Sequence, residues 1–233
     1  MPADAAQLAL PVHLRDDATL ENFLFDESTG PLSIALLEQL AAAGEPALYL
    51  HGPTGSGRTH LLQGACHAAP AGESLYLPLT QFSGEDAEAV IAGVEDLARV
   101  CLDDIDAVAG DSEWELALFN LVNRARETGC RLLFSADCAP RELALSLPDL
   151  RSRLSWSVVF QLRAPGDERK LEILKFRAGR RGMGLSDEAA RYILSRAPRG
   201  MTDLMDVVER LDRDSIVAKR SLTIPFIRDR MDW

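Results

Sequence analysis

The sequence is short of positive charge: 25 lysines and arginines stand against 36 aspartates and glutamates, a formal net charge of −11. A surface of that sign repels a phosphate backbone, which makes the chain a poor stand-alone DNA binder and leaves a nucleic-acid role dependent on a local basic patch or a partner. Cysteine pairing is lacking too. Cys66, Cys101, Cys130 and Cys138 form no C-x-x-C spacing, and at least three fall inside segments that read as helix or strand. Buried free thiols in a reducing cytoplasm are expected, well ahead of a metal site or a disulfide. No run approaches the roughly 18 apolar residues of a membrane span. The opening MPADAAQLALPVHL has neither a basic leader nor a long apolar stretch. The expectation is a cytoplasmic protein without a membrane partner. Internal repeats and low-complexity segments are also missing. What is there, 233 residues of which 47% are hydrophobic, suffices for a real core in one domain plus a smaller one.

Up to about Thr29 periodicity is weak and the chain reads as an extended tail followed by a loop. LSIALLEQLAAAG then sets Leu32, Ala35, Leu36, Leu40 and Ala43 at helical spacing and stops at Gly44. ALYLHG (47–52) is a short apolar run with an abrupt glycine end, and THLLQGACHAA returns to helical spacing. The alternation repeats with SLYLPL (74–79), RVCLDDID (99–106), CRLLFSAD (130–137) and SVVFQL (157–162) as strands. Strands apolar on both faces, alternating with helices, predict an α/β fold with a five-stranded parallel sheet between helices. After Pro165-Gly166 three amphipathic helices are expected, DERKLEILKFRAGRRG, SDEAARYILSRA and MTDLMDVVERLDRDSIVAKR. The second opens on Ser186, with Asp187 and Glu188 in its first turn. The expected organisation is a flexible tail over 1–19, an α/β domain over 20–165 and a small all-α domain over 166–233.

GPTGSGRT (52–59) lies between a strand and a helix, where a phosphate-binding loop works. Gly52, Gly55 and Gly57 let backbone N–H groups wrap a phosphate, with Pro53, Thr54 and Ser56 between them. Arg58 neutralises the outer oxygens, and Thr59 offers its hydroxyl to magnesium at a helix N-terminus. Arginine stands where such loops carry lysine. Its planar fork holds phosphate oxygens with different geometry, so binding should survive better than turnover. VCLDD adds acids at a strand end: Asp103 to hold magnesium through water, Asp104 as a candidate base. The plainer reading is two solvated acids. In LLFSAD, Ser135 and Asp137 sit at a strand tip, with Ser135 a candidate to orient a water or phosphate; Asn123, on the preceding helix, is a weaker candidate for the same crevice. In LPDLRSRLSW, Arg151 or Arg153 is placed to reach a neighbouring chain's nucleotide.

These segments in this order resemble an AAA+ ATPase, with a P-loop domain and a helical lid, and more narrowly the nucleotide-binding part of the replication initiator DnaA. QLALPVHL, GSGRTHLL, DLRSRLSW and LTIPF are similar to the Hda family of DnaA-related regulators, and arginine at position 58 is itself similar to that family. The likeness runs from about Leu20 to the end. It implies ADP (or ATP) in the loop, with magnesium on Thr59 and Asp103. It also implies an arginine finger at Arg153 that completes the active site of ATP-bound DnaA and leaves inactive ADP-bound initiator. Gln7, Leu8, Leu10, Pro11 and Val12 resemble the Q-L-x-L-P-h motif that docks on the sliding clamp, the polymerase beta subunit. Such an extended peptide would use its glutamine and apolar side chains as anchors. The initiator's helix-turn-helix DNA-reading domain is not expected after the lid, and assembly of identical copies is compatible with the resemblance. One departure is Thr202, which stands where a lid arginine is expected, with Arg199 three residues earlier. The alternatives are an autonomous AAA+ ATPase acting as a loader or remodeller, suggested by Asp103-Asp104, and an accessory protein that meets its partners without the clamp.

Overall fold

The five apolar runs form one parallel sheet in a computed structural model that describes residues 14–218 and 221–233. Its strands are β1 (Ala47–His51), β2 (Ser74–Pro78), β3 (Arg99–Asp103), β4 (Arg131–Ala136) and β5 (Val158–Gln161), in the spatial order β2-β3-β4-β1-β5. From β1 the chain crosses to the far edge at β2, returns through β3 and β4 to pair with β1, and then passes to β5 on the other side. That reversal leaves a crevice beyond the C-terminal end of β1, where a ligand can approach the strand ends.

Alternation of side chains sorts the sheet into two apolar faces. Tyr49, Leu102 and Phe134 join Trp114, Leu118 and Leu121 of α4 (Ser112–Thr128) in the larger core. Leu48, Leu50, Cys101 and Leu133 point the other way, onto Leu32 and Leu36 of α1 (Gly30–Leu40) and Leu61 and Leu62 of α2 (Arg58–His67). Both faces are therefore covered, as runs without polar alternation require. Two shorter helices complete the unit, α3 (Ala87–Ile91) and α5 (Pro148–Leu154). Asp111 caps α4 by accepting from the N–H groups of Glu113 and Trp114, and Gly129 closes it in the left-handed conformation at φ 82°. Residues expected to be loop also pack: Ala18 is buried, and Leu14, Leu20, Phe23 and Phe25 lie against the α1–α2 face.

The chain divides between Arg163 and Ala164 into two compact units. The described elements of the second are four helices, α6 (Asp167–Arg180), α7 (Asp187–Arg196), α8 (Met201–Ala218) and α9 (Ile224–Met231), with one isolated parallel bridge between Leu185 and Leu222. Ser186 caps α7 by accepting from the Ala189 N–H. The fourth helix departs from the three expected. Pro225 reads as a breaker, yet it falls in the first turn, where its missing N–H has no intrahelical partner to lose, and Thr223 caps the same turn by accepting from Phe226. Phe226 and Ile227 then bury with Leu174, Ile193, Leu204 and Leu211. All four cysteines are free, three of them buried. Among the described residues no helix is long and apolar enough to cross a membrane.

Candidate functional site

The loop after β1 is built around glycines that tolerate close approach. A Cβ on Gly52 would lie 2.2 Å from the Leu162 carbonyl oxygen, and one on Gly57, at φ 97°, would lie 2.7 Å from the Phe23 ring. Gly55 also adopts a positive φ, 80°. Helix α2 begins at Arg58 with Gly57 as its cap, and a glycine brings no side chain to accept from the first-turn N–H groups. Ser56 Oγ and Arg58 Nη1 are buried without a hydrogen-bond partner among the described residues. Thr59 is exposed beside them. Buried donors left over on Ser56 and Arg58 at a helix N-terminus want an acceptor, and a phosphate group fits them.

The acids meet this loop from β3. Arg58 Nη2 lies 3.1 Å from Asp104 Oδ1. Asp103 is 1% exposed; its Oδ2 accepts from the Tyr76 hydroxyl at 2.7 Å and its Oδ1 from the Ser135 hydroxyl. Ser135 in turn accepts from the Asp104 N–H at 2.9 Å. The backbone of Asp104 is left-handed, φ 54°, which turns its carboxylate out of the strand line toward Arg58. Burial, and then the neighbouring charge of Asp103, push the Asp104 carboxyl up to about 6, against the opposing pull of Arg58. Burial and Asp103 likewise hold the Tyr76 hydroxyl far above its ordinary value, so it stays a donor. The structure thus brings Gly52, Pro53, Thr54, Gly55, Ser56, Gly57, Arg58, Thr59, Asp103, Asp104 and Ser135 to one end of the sheet. Ser135 faces the acids there. The Asp137 N–H donates to Asp106 at 3.1 Å. Among the described residues no cluster of three or more His, Cys, Asp or Glu side chains could hold a metal. A magnesium ion would therefore rely on Thr59, on Asp103 and on phosphate and water oxygens.

A second group gathers around α5. Arg151 is spent on structure: its Nη2 donates to the carbonyls of Leu145, at 2.5 Å, and Leu143. Arg153 instead lies 4.3 Å from the centre of the Trp156 ring and 5.9 Å from that of Phe119. It has no ion-pair partner among the described residues. Asn123 is not at the strand ends; with Arg126, Glu127 and Arg153 it lines an open depression of about 560 Å³. The chain leading into α5 is held by Glu115, 1% exposed, which accepts from the N–H groups of Gly110 (2.7 Å), Ser146 (2.9 Å) and Leu147 (2.6 Å). Beyond α5 comes β5, which among the described residues is an edge strand paired only with β1.

Tyr76, Glu115 and Trp156 were not legible as site residues. Tyr76 reaches Asp103 only because β2 and β3 pair in the register Pro78↔Asp103. A glutamate in the first turn of a helix reads as solvated, and only burial shows Glu115 to be otherwise. The clamp-motif residues Gln7, Leu8, Leu10, Pro11 and Val12 lie outside the described residues. In the second unit Thr202 is exposed in the first turn of α8, and Arg199 lies 3.7 Å from Asp167.

A family model of the bacterial DnaA ATPase domain matches residues 14–161. The chain belongs to that family, the DnaA-like AAA+ proteins, and its sheet is the nucleotide-binding fold of the group. The second unit narrows the placement: residues 167–231 match the lid domain of Hda. An uncharacterized protein of Haemophilus influenzae is 41% identical over 225 residues, spanning 95% of this chain and 96% of its own. Domain III of the Thermotoga maritima replication initiation protein DnaA superposes with a TM-score of 0.75 at 20% identity, over 95% of this chain and 98% of that one. AMPPCP-bound DnaA from Aquifex aeolicus gives 0.69 at 21% identity, over 88% and 73%. At those identities the two solved structures bear on the fold.

Proposed function

We propose that this chain is a negative regulator of replication initiation: an adenine-nucleotide-bound adaptor that docks on the sliding clamp through Gln7, Leu8, Leu10, Pro11 and Val12. From there it supplies Arg153 to ATP-bound DnaA, stimulating hydrolysis and leaving inactive ADP-bound initiator. The observation that carries the reading is the state of Arg153 on α5, a guanidinium without an ion-pair partner among the described residues and stacked on Trp156, while its neighbour Arg151 is tied to its own loop. A cation of that kind stabilises charge on a transferring phosphoryl group when offered across an interface. Membership of the DnaA-like family with an Hda-type lid supports DnaA as the partner.

The chain's own loop is a holding site in this reading. ADP, or ATP, would supply the phosphate oxygens that Ser56 and Arg58 Nη1 lack among the described residues. Arg58 keeps one nitrogen on Asp104, so its fork is shared between the acid and the nucleotide. Asp103 meanwhile has each of its oxygens engaged by a protein hydroxyl. Both features favour retention of the nucleotide over rapid turnover. The test is DnaA ATP hydrolysis with clamp-loaded DNA, with and without the chain. Arg153→Ala should bind nucleotide and clamp normally yet lose the stimulation, and Leu8→Ala with Leu10→Ala should lose clamp binding. Full stimulation by Arg153→Ala, or vigorous ATP consumption by the chain alone, refutes the reading.

A further inference from the structure

Trp156 is 60% exposed, although an indole ring gains most from burial. Two guanidinium groups lie over it, Arg153 at 4.3 Å and Arg126 of α4 at 5.1 Å from the ring centre. Its backbone is fixed as well: the Trp156 N–H donates to the Arg153 carbonyl at 3.1 Å, just past the turn that buried Leu150 and Leu154 anchor to the core. We propose that Trp156 is a positioning residue for Arg153. Its indole face holds the guanidinium at the surface in one orientation without neutralising it.

The chemistry distinguishes this from the usual way of fixing an arginine. A carboxylate would order the side chain equally well, but it would cancel the charge and occupy the N–H fork that an anion needs. A π face attracts the cation through its quadrupole and leaves the in-plane donors at the rim of the guanidinium free. Arg126, seated on the same ring and likewise without an ion-pair partner among the described residues, helps to hold the indole in place and adds positive potential to the depression beside it. An exposed cation–π contact shifts a rotamer population by about 2- to 5-fold. Removing the indole should therefore cost far less than removing the finger itself, which is on the order of 10³.

The inference rests on the role proposed for Arg153, and the experiment separates the two. DnaA hydrolysis on clamp-loaded DNA is measured against concentration of the full chain for wild type, Arg153→Ala, Trp156→Ala and Trp156→Phe. In parallel, the Arg153 side-chain Nε–Hε resonance is followed by NMR, and melting is checked by circular dichroism. The expected result is that Trp156→Ala melts normally and lowers the maximal stimulated rate about 2- to 5-fold at an unchanged half-saturating concentration. It should also lose the ring-current shift of the Arg153 resonance, and Trp156→Phe should restore both. An unshifted resonance in wild type overturns the proposal. So does a Trp156→Ala variant whose maximal rate holds while its half-saturating concentration rises, which would make Trp156 a contact with the partner. If Arg153→Ala still stimulates, the proposed function fails, while the resonance still reports whether Trp156 orders Arg153.

Discussion

Glu115→Gln is the change that most directly tests how α5 is held. The carboxylate is 1% exposed and accepts from three backbone N–H groups, with Oε1 taking Gly110 and Ser146 and Oε2 taking Leu147. An amide of the same shape keeps one oxygen. Its nitrogen must then face a donor: if the oxygen stays with Gly110 and Ser146, the Leu147 N–H meets an N–H₂ group. A hydrogen bond to a charged acceptor contributes roughly 1.5–3 kcal/mol, and leaving a buried donor unsatisfied costs about 1–3 kcal/mol. Recovered desolvation of the carboxylate offsets part of this, so a net loss of about 2 kcal/mol is expected. For a chain of this size that is a fall in Tm of about 4–8 °C. Thermal and urea unfolding followed by tryptophan fluorescence should show it, since the Trp114 indole is buried one position before Glu115. The same variant should stimulate DnaA less at temperatures well below its melting, because Leu147 is the cap residue of α5. A change under about 0.5 kcal/mol, the size of an ordinary surface substitution, would refute the reasoning.

Three further outcomes are expected. The Asp104 carboxyl stands at about 6 in the folded chain against an ordinary 3.8, so ionising it costs the folded state. Its contribution is most favourable below pH 4 and is lost as pH rises through 6, so Asp104→Asn should be more stable than wild type at pH 8 by roughly 1 kcal/mol, with the gap closing by pH 4 in urea titrations. Gly52→Ala would place a methyl group 2.2 Å from the Leu162 carbonyl oxygen, a backbone atom that cannot step aside. It should destabilise the first unit by more than about 3 kcal/mol in denaturant unfolding, and a variant that melts like wild type would contradict the close approach. Arg58→Ala removes a cation with one buried nitrogen unsatisfied. Affinity for a fluorescent ADP analogue should fall by about 10-fold or more, and unchanged binding would remove Arg58 from the site.

The sequence by itself determined what is local in the chain. A five-residue apolar run with an abrupt glycine end is too short for a helix and reads as a covered strand, and a loop of glycines between such a strand and a helix is the pattern of a phosphate-binding loop, so GPTGSGRT was readable without coordinates. Asp103 and Asp104 were readable for the same reason, as acids at a strand end. The lid's fourth helix escaped because Pro225 signals an ending unless its position in the turn is known. Only the tertiary structure decided how distant pieces pair. Strand order put Ser135 and Tyr76 on the two oxygens of Asp103. Packing of α4 against α5 sank Glu115 beneath α5 and set Arg126 over the same indole as Arg153. It also separated Arg151 from Arg153, two residues identical in letter and neighbourhood, by giving one a set of backbone carbonyls and the other an aromatic face. Such partners follow from register and burial, which depend on the whole chain closing its core, and no window of sequence carries them.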